Sequence, residues 1–521
     1  MIETVAIYVL SSIVLGLLLM YFGSFEAFKI THHHIHTVDD HMITLRVAKN
    51  FADHGVPFYN IGEPLAANTS LFWPLILGTV LSGTGAFAFL ALNVLVSVIL
   101  SVVTILVATT LVANWVHKIS TAILLVGSSS FLTLSSTGWE HVPQMLLLTI
   151  GFTMIFHSSS KVLVISNYAM LAICVSFIFR PDSAVIIAVT GIIWFFHNQN
   201  FKKILTYVWG LFFLIIPFAY LYLMDMYYNE FFPNTAYLKS LPFMQSIGIG
   251  LTYLINPFQA GLVPIILILI IILRPSSSFV KFIILVSLAH MAYVVAIGGD
   301  IFANGRFFLI LLPVLVPILV SQLASLNFWQ NENSTNRVIL CSTISLALLS
   351  NSLGIAREVY VDQKRASPIE EQVRLLSIAE QYISPNDGSI GLHYLGIGFH
   401  FLDFHVVDFL GKAEPHIART AMKIGPIGHN KWDYDHVFEK YKIAIIPMPD
   451  TTVENVLSDN YVITKKSLMF WEICALKALS SGNYEFIPAK IFGNKSYGAL
   501  LRKDLAKRFV SKRVAIANGI K

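Results

Sequence analysis

Long apolar runs recur through the first two thirds of the chain, and they constrain its fold more than any other feature. A membrane-crossing helix needs about 20 apolar residues. By that measure about eleven runs can cross a bilayer: 4–22, 87–113, 121–136, 143–157, 162–179, 183–196, 204–223, 248–273, 279–297, 307–323 and 338–355. The shorter apolar segment 71–81 contains Pro74, so we expect it to be interfacial or re-entrant. With 55% hydrophobic and only 12% charged residues among 521, the chain is predicted to be a polytopic α-helical membrane protein.

The composition changes near residue 356, after which charged residues are frequent. Turn signals occur at 385–388 and 425–426, and short apolar runs at 389–392, 406–410 and 443–446 indicate strands. A helical pattern at 370–382 precedes the first of these strands. We therefore predict a transmembrane domain over 1–355, with a first outer loop at 23–70, and a soluble α/β domain over 356–521.

Lysine and arginine side chains in short loops indicate which side of the membrane is cytoplasmic. Alternate loops are marked in this way by His117, Lys118, Lys161, Lys202, Lys203, Arg274, Lys281 and Arg337. The N-terminal run shows no basic leader and no cleavage site, so it is expected to be an uncleaved anchor. The first outer loop, the other intervening loops and the C-terminal domain then lie together on the extracytoplasmic side.

Ionisable residues cluster in these outer loops, where burial is costly unless charges are paired or solvated. They are the adjacent Asp39 and Asp40, the cations Arg46, Arg180, Lys239 and Arg306, and the acids Glu140, Asp182 and Asp300. A carboxylate here can act as a general base on a hydroxyl, and the cations suit a phosphate. The alternatives are that Asp39 caps the helical run 41–51 and that the cations are membrane anchors or partners of the acids.

The histidine-rich run before this pair invites a metal interpretation. His32, His34 and His36 alternate as strand neighbours would, but their spacing is not that of a typical zinc site, so a solvated loop is preferred. His41 could instead orient one of the carboxylates. The chain shows no nucleotide-binding or hydrolase signature, so a reaction on the outer face needs an activated substrate already present there. A lipid-linked sugar phosphate meets that requirement.

The ordered set of these motifs resembles the GT-C membrane glycosyltransferases. The resemblance starts in the first outer loop, with VDDHMITLRVAKNF at 38–51, GVPFYNIGEP at 55–64 and NTSLFW at 68–73. It continues through GWE at 138–140, RPD at 180–182, PNT at 233–235, GD at 299–300 and RF at 306–307, and into the C-terminal domain at 407–411, 417–419 and 428–432. The most similar subgroup is that of the terminal arabinofuranosyltransferases, which use a polyprenyl-phosphate donor.

This resemblance implies a GT-C fold and an inverting, metal-independent enzyme that transfers a sugar from a polyprenyl phosphate to a hydroxyl of an envelope glycan or glycolipid. It implies that Asp39, or else Asp40, is the catalytic base. Arg306, Lys239 and Arg180 are then expected to bind the donor phosphate, and Arg46, Glu140, Asp182, Asn234, Asp300 and His41 to bind substrate.

No cofactor and no nucleic-acid partner are expected. The expected location is a bacterial inner membrane, with the active site on the periplasmic side. The alternatives are a lipid or glycan transporter and an envelope polysaccharide polymerase or ligase.

Overall fold

The computed structural model describes residues 39–159, 162–197, 204–256, 260–300, 305–325, 368–423, 427–458 and 469–517. Up to residue 325 the described chain is helical. The helices are Asp39–His54, Phe72–Val80, Ala86–Thr109, Trp115–Val126, Ser129–Thr137, His141–Ser158, Asn167–Phe179, Ala184–His197, Ile204–Tyr228, Asn234–Leu238, Phe243–Ile255, Val263–Ile272, Ser278–Ala296, Arg306–Leu309 and Leu312–Ala324. The predicted runs 4–22 and 338–355 and the histidine run lie outside the described residues.

Three of these helices contain apolar segments long enough to cross a bilayer alone, namely Ala88–Thr109, Tyr207–Tyr228 and Ser278–Ala296. Six further apolar helices of 10–17 residues accompany them in the described part of the chain. The segment Tyr207–Tyr228 is only 17% buried within the protein, and it exposes large apolar side chains such as Leu211 and Phe218. Such a surface suits contact with lipid, as the sequence predicts for a polytopic membrane protein.

Three of the predicted continuous spans are interrupted. The run 307–323 is divided between helices Arg306–Leu309 and Leu312–Ala324. The run 121–136 is divided between helices Trp115–Val126 and Ser129–Thr137, because the first of them ends at Gly127. The run 248–273 is divided between Phe243–Ile255 and Val263–Ile272, with Gly261 at φ 71° before the second helix. Glycine adopts a positive φ without the steric cost that other residues meet, so the chain can change direction within an apolar run.

The helix Asp39–His54, called here the first-loop helix, begins with the two carboxylates in its first turn, where the helix dipole favours negative charge. It ends at Gly55, whose φ of 73° allows its N–H to bond the carbonyl of Phe51 at 2.9 Å. The short helix Phe72–Val80 crosses it closely at Gly78, where a β-carbon would collide with the Ala48 carbonyl. This nine-residue helix is too short to span a membrane.

The C-terminal part contains a five-stranded sheet. Its strands are β1 (Ser389–Leu392), β2 (Val406–Asp408), β3 (Ile443–Pro449), β4 (Tyr484–Ile487) and β5 (Tyr497–Arg502), in the order β2-β1-β3-β5-β4. Strands β2, β1 and β3 are parallel, while β5 is antiparallel to β3 and β4. The helices of this part are residues 368–379, Pro415–Arg419, Tyr434–Lys440, Asp450–Leu457, Phe470–Ser480 and Lys503–Ala517. The predicted α/β fold is thus confirmed.

The sheet has an apolar core on each face, because successive side chains of a strand point to opposite sides. Ile445 packs with the helices 368–379 and Lys503–Ala517, and Ile446 packs with Tyr434–Lys440 and Phe470–Ser480. The first core also takes in Ile43 and Val47 of the first-loop helix. The loops after the carboxyl ends of β1 and β2 consequently meet the first turn of that helix.

Candidate active site

Asp39 and Asp40 lie where the first-loop helix meets the loops that follow β1 and β2. Lys412, from the loop after β2, lies between the two carboxylates: its Nζ donates a hydrogen bond to Oδ1 of Asp40 and is 3.7 Å from Oδ2 of Asp39. The Asp39 and Asp40 side chains keep 18% and 21% of their exposure, so they are shielded from bulk solvent without being sealed. We call Asp39, Asp40, Lys239, Asp300, Arg306 and Lys412 the charged cluster.

The two carboxylates have different surroundings. Burial raises the pKa of Asp39 to about 6, although Lys412 lowers it and Oδ1 accepts the Gly396 N–H at 2.8 Å. Burial also acts to raise the pKa of Asp40, but Lys412, Arg306 and Lys239 together outweigh it and hold that pKa well below its usual range. Asp39 can therefore exchange a proton near neutral pH, whereas Asp40 stays ionised.

The cations differ as well. Arg306 donates hydrogen bonds to both carboxylate oxygens of Asp300, whose side chain is buried. The Arg306 Nη1 is also 3.5 Å from Oδ2 of Asp40, and the guanidinium is 4.6 Å from the centre of the Trp139 ring. Lys239 follows the short helix Asn234–Leu238, and burial lowers its pKa despite the nearby Asp300. Among the described residues, the Lys239 ammonium has no hydrogen-bond or ion-pair partner. It is the cation of the cluster best placed to accept a new anionic partner.

The loop that carries Lys412 is held from two sides. Asp408, the last residue of β2, accepts the N–H groups of Leu410 at 2.8 Å and Ala413 at 2.6 Å. From the membrane part, Nδ2 of Asn234 donates to the carbonyls of Gly411 at 2.7 Å and Lys412 at 3.1 Å. Asn234 was expected to bind substrate, but both of these bonds go to the loop, so the structure gives it a supporting role.

Arg46 was also expected to bind substrate, and the structure places it elsewhere. Its side chain is 1% exposed and donates hydrogen bonds to the backbone carbonyls of Tyr59, Gly398, Phe401 and Phe404. Three of those carbonyls belong to the C-terminal part. A guanidinium used in this way joins the first-loop helix to that part, because each of these four hydrogen bonds goes to a backbone carbonyl and none to a residue of the charged cluster.

His41 likewise points away from the carboxylates. It is buried beneath the first turn, where one ring nitrogen lies 2.9 Å from Nδ2 of Asn93 and the ring stacks near Trp139. Burial lowers its pKa to about 3, so it is a neutral packing residue at physiological pH. The expectation that it contacts substrate or orients a carboxylate is not supported by this geometry.

The remaining predicted residues form a second, separate group. Arg180 is buried between Glu140, at 2.9 Å, and Asp182, at 3.0 Å, and Gln144 donates to Asp182 at 2.6 Å. We expected these residues on the same side of the membrane as the cluster, but here Arg180 pairs with its own two carboxylates. The Phe307 ring lies beside both groups, 5.3 Å from the Arg180 guanidinium and 5.6 Å from that of Arg306. Because two carboxylates already neutralise Arg180, it is a poor candidate for the donor phosphate.

Lys412 and Gly396 are the site residues that sequence reasoning missed. Lys412 directly follows the motif at 407–411, which did carry the resemblance, so its position was the one available signal. Within the described ranges no group of three or more histidine, cysteine or acidic side chains is arranged to hold a metal ion.

Comparison with solved structures shows a likeness in fold. No protein-family model matches the chain, and no curated protein matches it in sequence. The crystal structure of ArnT from Cupriavidus metallidurans bound to undecaprenyl phosphate matches with a TM-score of 0.54 at 11% identity, covering 94% of this chain and 97% of that one. The fold is of the GT-C type. Both the multi-pass membrane part and the C-terminal part are included in the match, and the predicted fold class is confirmed.

Proposed function

We propose that this GT-C-type protein is an inverting glycosyltransferase that moves a sugar from a polyprenyl phosphate to a hydroxyl of a cell-envelope glycan or glycolipid. The observation that carries the proposal is the pair of adjacent carboxylates at the cluster, one with its pKa raised to about 6 and the other held ionised by cations. A base and a binding site for an anionic leaving group are thus side by side.

In the proposed reaction, Asp39 accepts the proton of the acceptor hydroxyl, and the oxygen attacks the anomeric carbon. The bond from that carbon to the phosphate oxygen breaks, and the phosphate leaves with the electron pair on the opposite face of the sugar. Negative charge grows on the phosphate during this step, so nearby cations stabilise the transition state more than the ground state. Lys239 and Arg306 are assigned that role.

The nature of the donor is supported by the fold comparison. ArnT was crystallised with undecaprenyl phosphate, and the present chain shares its fold over nearly the full length. A long apolar tail suits the lipid-exposed helices described above. The acceptor, the bacterial inner membrane and the periplasmic side remain part of the proposal. The expectation that Glu140 and Asp182 hold sugar hydroxyls or fix the cations also remains part of it. The arabinofuranosyl subgroup stays a hypothesis about the sugar.

The test compares Asp39→Asn with the wild type in proteoliposomes that contain undecaprenyl-phosphate-linked pentoses and hexoses together with envelope lipid extract. A general base contributes about 10²- to 10⁴-fold to a rate, so sugar transfer is expected to fall by that factor. The asparagine oxygen can still accept the Gly396 N–H, and binding of undecaprenyl phosphate should therefore persist. Asp53→Asn, at the other end of the same helix, is the matched control because its carboxylate pairs only with Lys49 among the described residues.

Wild-type transfer rates in folded Asp39→Asn and Asp40→Asn proteins would rule out the mechanism. Movement of the lipid across the bilayer with its sugar–phosphate bond intact would instead favour the transporter alternative. Transfer of a sugar only from a diphosphate-linked oligosaccharide would favour a polymerase or ligase.

A further inference from the structure

Two neighbouring carboxylates in a shielded site repel each other, so a structure must stabilise both or leave one protonated. The cations that pair with Asp39 and Asp40 in the described residues come from outside the first-loop helix. Arg306 approaches Asp40, with 3.5 Å between its Nη1 and the Asp40 Oδ2. The group next to both is the Lys412 ammonium, bonded to Asp40 and 3.7 Å from Asp39. It reaches them from the C-terminal part of the chain.

We infer that Lys412 is a positioning residue of the proposed transferase: it keeps Asp39 available as a base and thereby makes the C-terminal domain part of the catalytic centre. The inference deepens the proposed function and depends on it for its catalytic meaning. The underlying electrostatic relation between Lys412 and Asp39 can be tested without any turnover.

The loop around Lys412 is held by hydrogen bonds, which fix the position of this lysine. Its backbone carbonyl accepts from Asn234, and the flanking loop is closed on Asp408 by the N–H groups of Leu410 and Ala413. Its side chain is only 11% exposed. An exposed surface lysine would be a weak and solvent-screened partner, whereas a shielded one 3.7 Å from a carboxylate interacts strongly.

Other charged and titratable groups also face Asp39 and must be included. Asp40 on the same helix and Asp408 at the end of β2 raise its pKa, while the Gly396 N–H and Lys412 lower it. The buried hydroxyl of Tyr59 also interacts with it. Lys412 is the only cation among these groups, since Arg306 and Lys239 act on the neighbouring Asp40. Removal of Lys412 therefore leaves Asp39 with the acidic Asp40 and Asp408 and the Gly396 N–H as its neighbours.

Loss of Lys412 is therefore expected to raise the pH at which Asp39 takes up a proton. Removal of an opposite charge at this range moves a carboxyl pKa by about one to three units. In the wild type, with a pKa of about 6, roughly a tenth of Asp39 is protonated at pH 7. In Lys412→Met, half or more is expected to be protonated at the same pH, so fewer molecules hold an ionised base.

The experiment measures this protonation directly. A hydrophobic carbodiimide adds to protonated carboxyl groups, and mass spectrometry of the Asp39 peptide reports the labelling rate at each pH. For the wild type the midpoint is expected near pH 6, and for Lys412→Met at least one unit higher, with about fivefold faster labelling at pH 7. Lys412→Arg keeps the charge and should stay close to the wild type.

Two further variants complete the design. Lys412→Gln also removes the charge but can still hydrogen-bond Asp40, so the relation between Lys412 and Asp39 can be tested even if Lys412→Met fails to fold. Lys477→Met removes a lysine of the same domain that pairs with Asp435 at an exposed position, and it should leave the midpoint unchanged. The sugar-transfer rate of Lys412→Met should recover at high pH, which a general loss of structure would not allow.

An unchanged Asp39 midpoint in folded Lys412→Met or Lys412→Gln would overturn the inference. That outcome is distinct from failure of the proposed function. If transfer occurs but the midpoint does not move, the role of Lys412 is wrong; if the midpoint moves but Asp39→Asn transfers sugar normally, the proposed mechanism is wrong.

Discussion

Replacement of Arg46 with methionine offers a quantitative test of its structural role. The guanidinium bonds four backbone carbonyls, at 2.8 Å to Tyr59, 2.9 Å to Phe401 and 2.7 Å to Phe404 among them. A buried carbonyl left without a donor costs about 1–3 kcal/mol. The four losses are not independent, and removal of a buried charge offsets part of them, so we expect the local unfolding free energy to fall by about 3 kcal/mol.

Hydrogen–deuterium exchange of the protein in lipid nanodiscs measures this change. Since about 1.4 kcal/mol corresponds to a factor of ten, amides of 395–404 should exchange roughly a hundredfold faster in Arg46→Met. Arg46→Lys keeps the charge but has a single ammonium for four carbonyls, so its effect should be intermediate. Arg374→Met is the control, because its exposed guanidinium bonds one Asn494 oxygen at 2.8 Å and should matter by less than about 0.5 kcal/mol.

The structural role of Arg46 would be refuted by wild-type exchange in Arg46→Met together with a tenfold loss of affinity for undecaprenyl phosphate. That combination would instead restore Arg46 as a substrate-binding residue, as the sequence alone suggested.

Three further predictions concern the charged cluster. In vesicle-binding assays, Lys239→Met should weaken undecaprenyl phosphate binding by about 10- to 100-fold, because it removes one charge-assisted hydrogen bond. Lys281→Met, which changes an exposed lysine, should leave the affinity unchanged. Equal affinities of the two variants would show that Lys239 does not contact the phosphate. Gly396→Ala would place a β-carbon against the Asp39 carbonyl and 2.7 Å from its Oδ1, so the sugar-transfer rate should fall at least about tenfold. Gly248→Ala is the control, because a β-carbon at that position meets open space. Equal transfer rates of the two variants would contradict the geometry. The sugar-transfer rate should decline as the pH falls below about 6, because Asp39 accepts a proton only when it is ionised and its raised pKa is about 6. A transfer rate that does not change between pH 5 and 7 would contradict the role of Asp39 as the base.

The convergence of distant outer-loop residues was predictable from the sequence. Alternating basic loops placed Asp40, Lys239, Asp300 and Arg306 on one side of the membrane, and the structure brings all four into one cluster. The same reasoning added Arg180 to it, because topology assigns a side of the membrane but not a depth or a neighbour. Which acid pairs with which cation depends on how the helices pack, and here the Phe307 ring lies beside both Arg180 and Arg306.

Other parts of the site could not be read from a single sequence. Arg46 falls three residues after Ile43 and one before Val47, so helical spacing does place it on an apolar face. That spacing does not predict that Arg46 donates hydrogen bonds to backbone carbonyls of a segment about 350 residues later in the chain. The role of Lys412 could not be predicted either, because a lysine beside a glycine in a soluble domain is ordinarily a solvated surface residue.

The distance along the chain between Asp40 and Lys412 also has a consequence for biosynthesis. The two residues are 372 positions apart, which at translation rates of about 5–20 residues per second corresponds to roughly 20–75 s of synthesis. During that interval the nascent membrane part holds adjacent aspartates without their shared counter-ion. A ribosome that stalls before residue 412 therefore leaves a membrane-inserted product in which the proposed base lacks its partner cation, so activity would begin only as the last third of the protein folds.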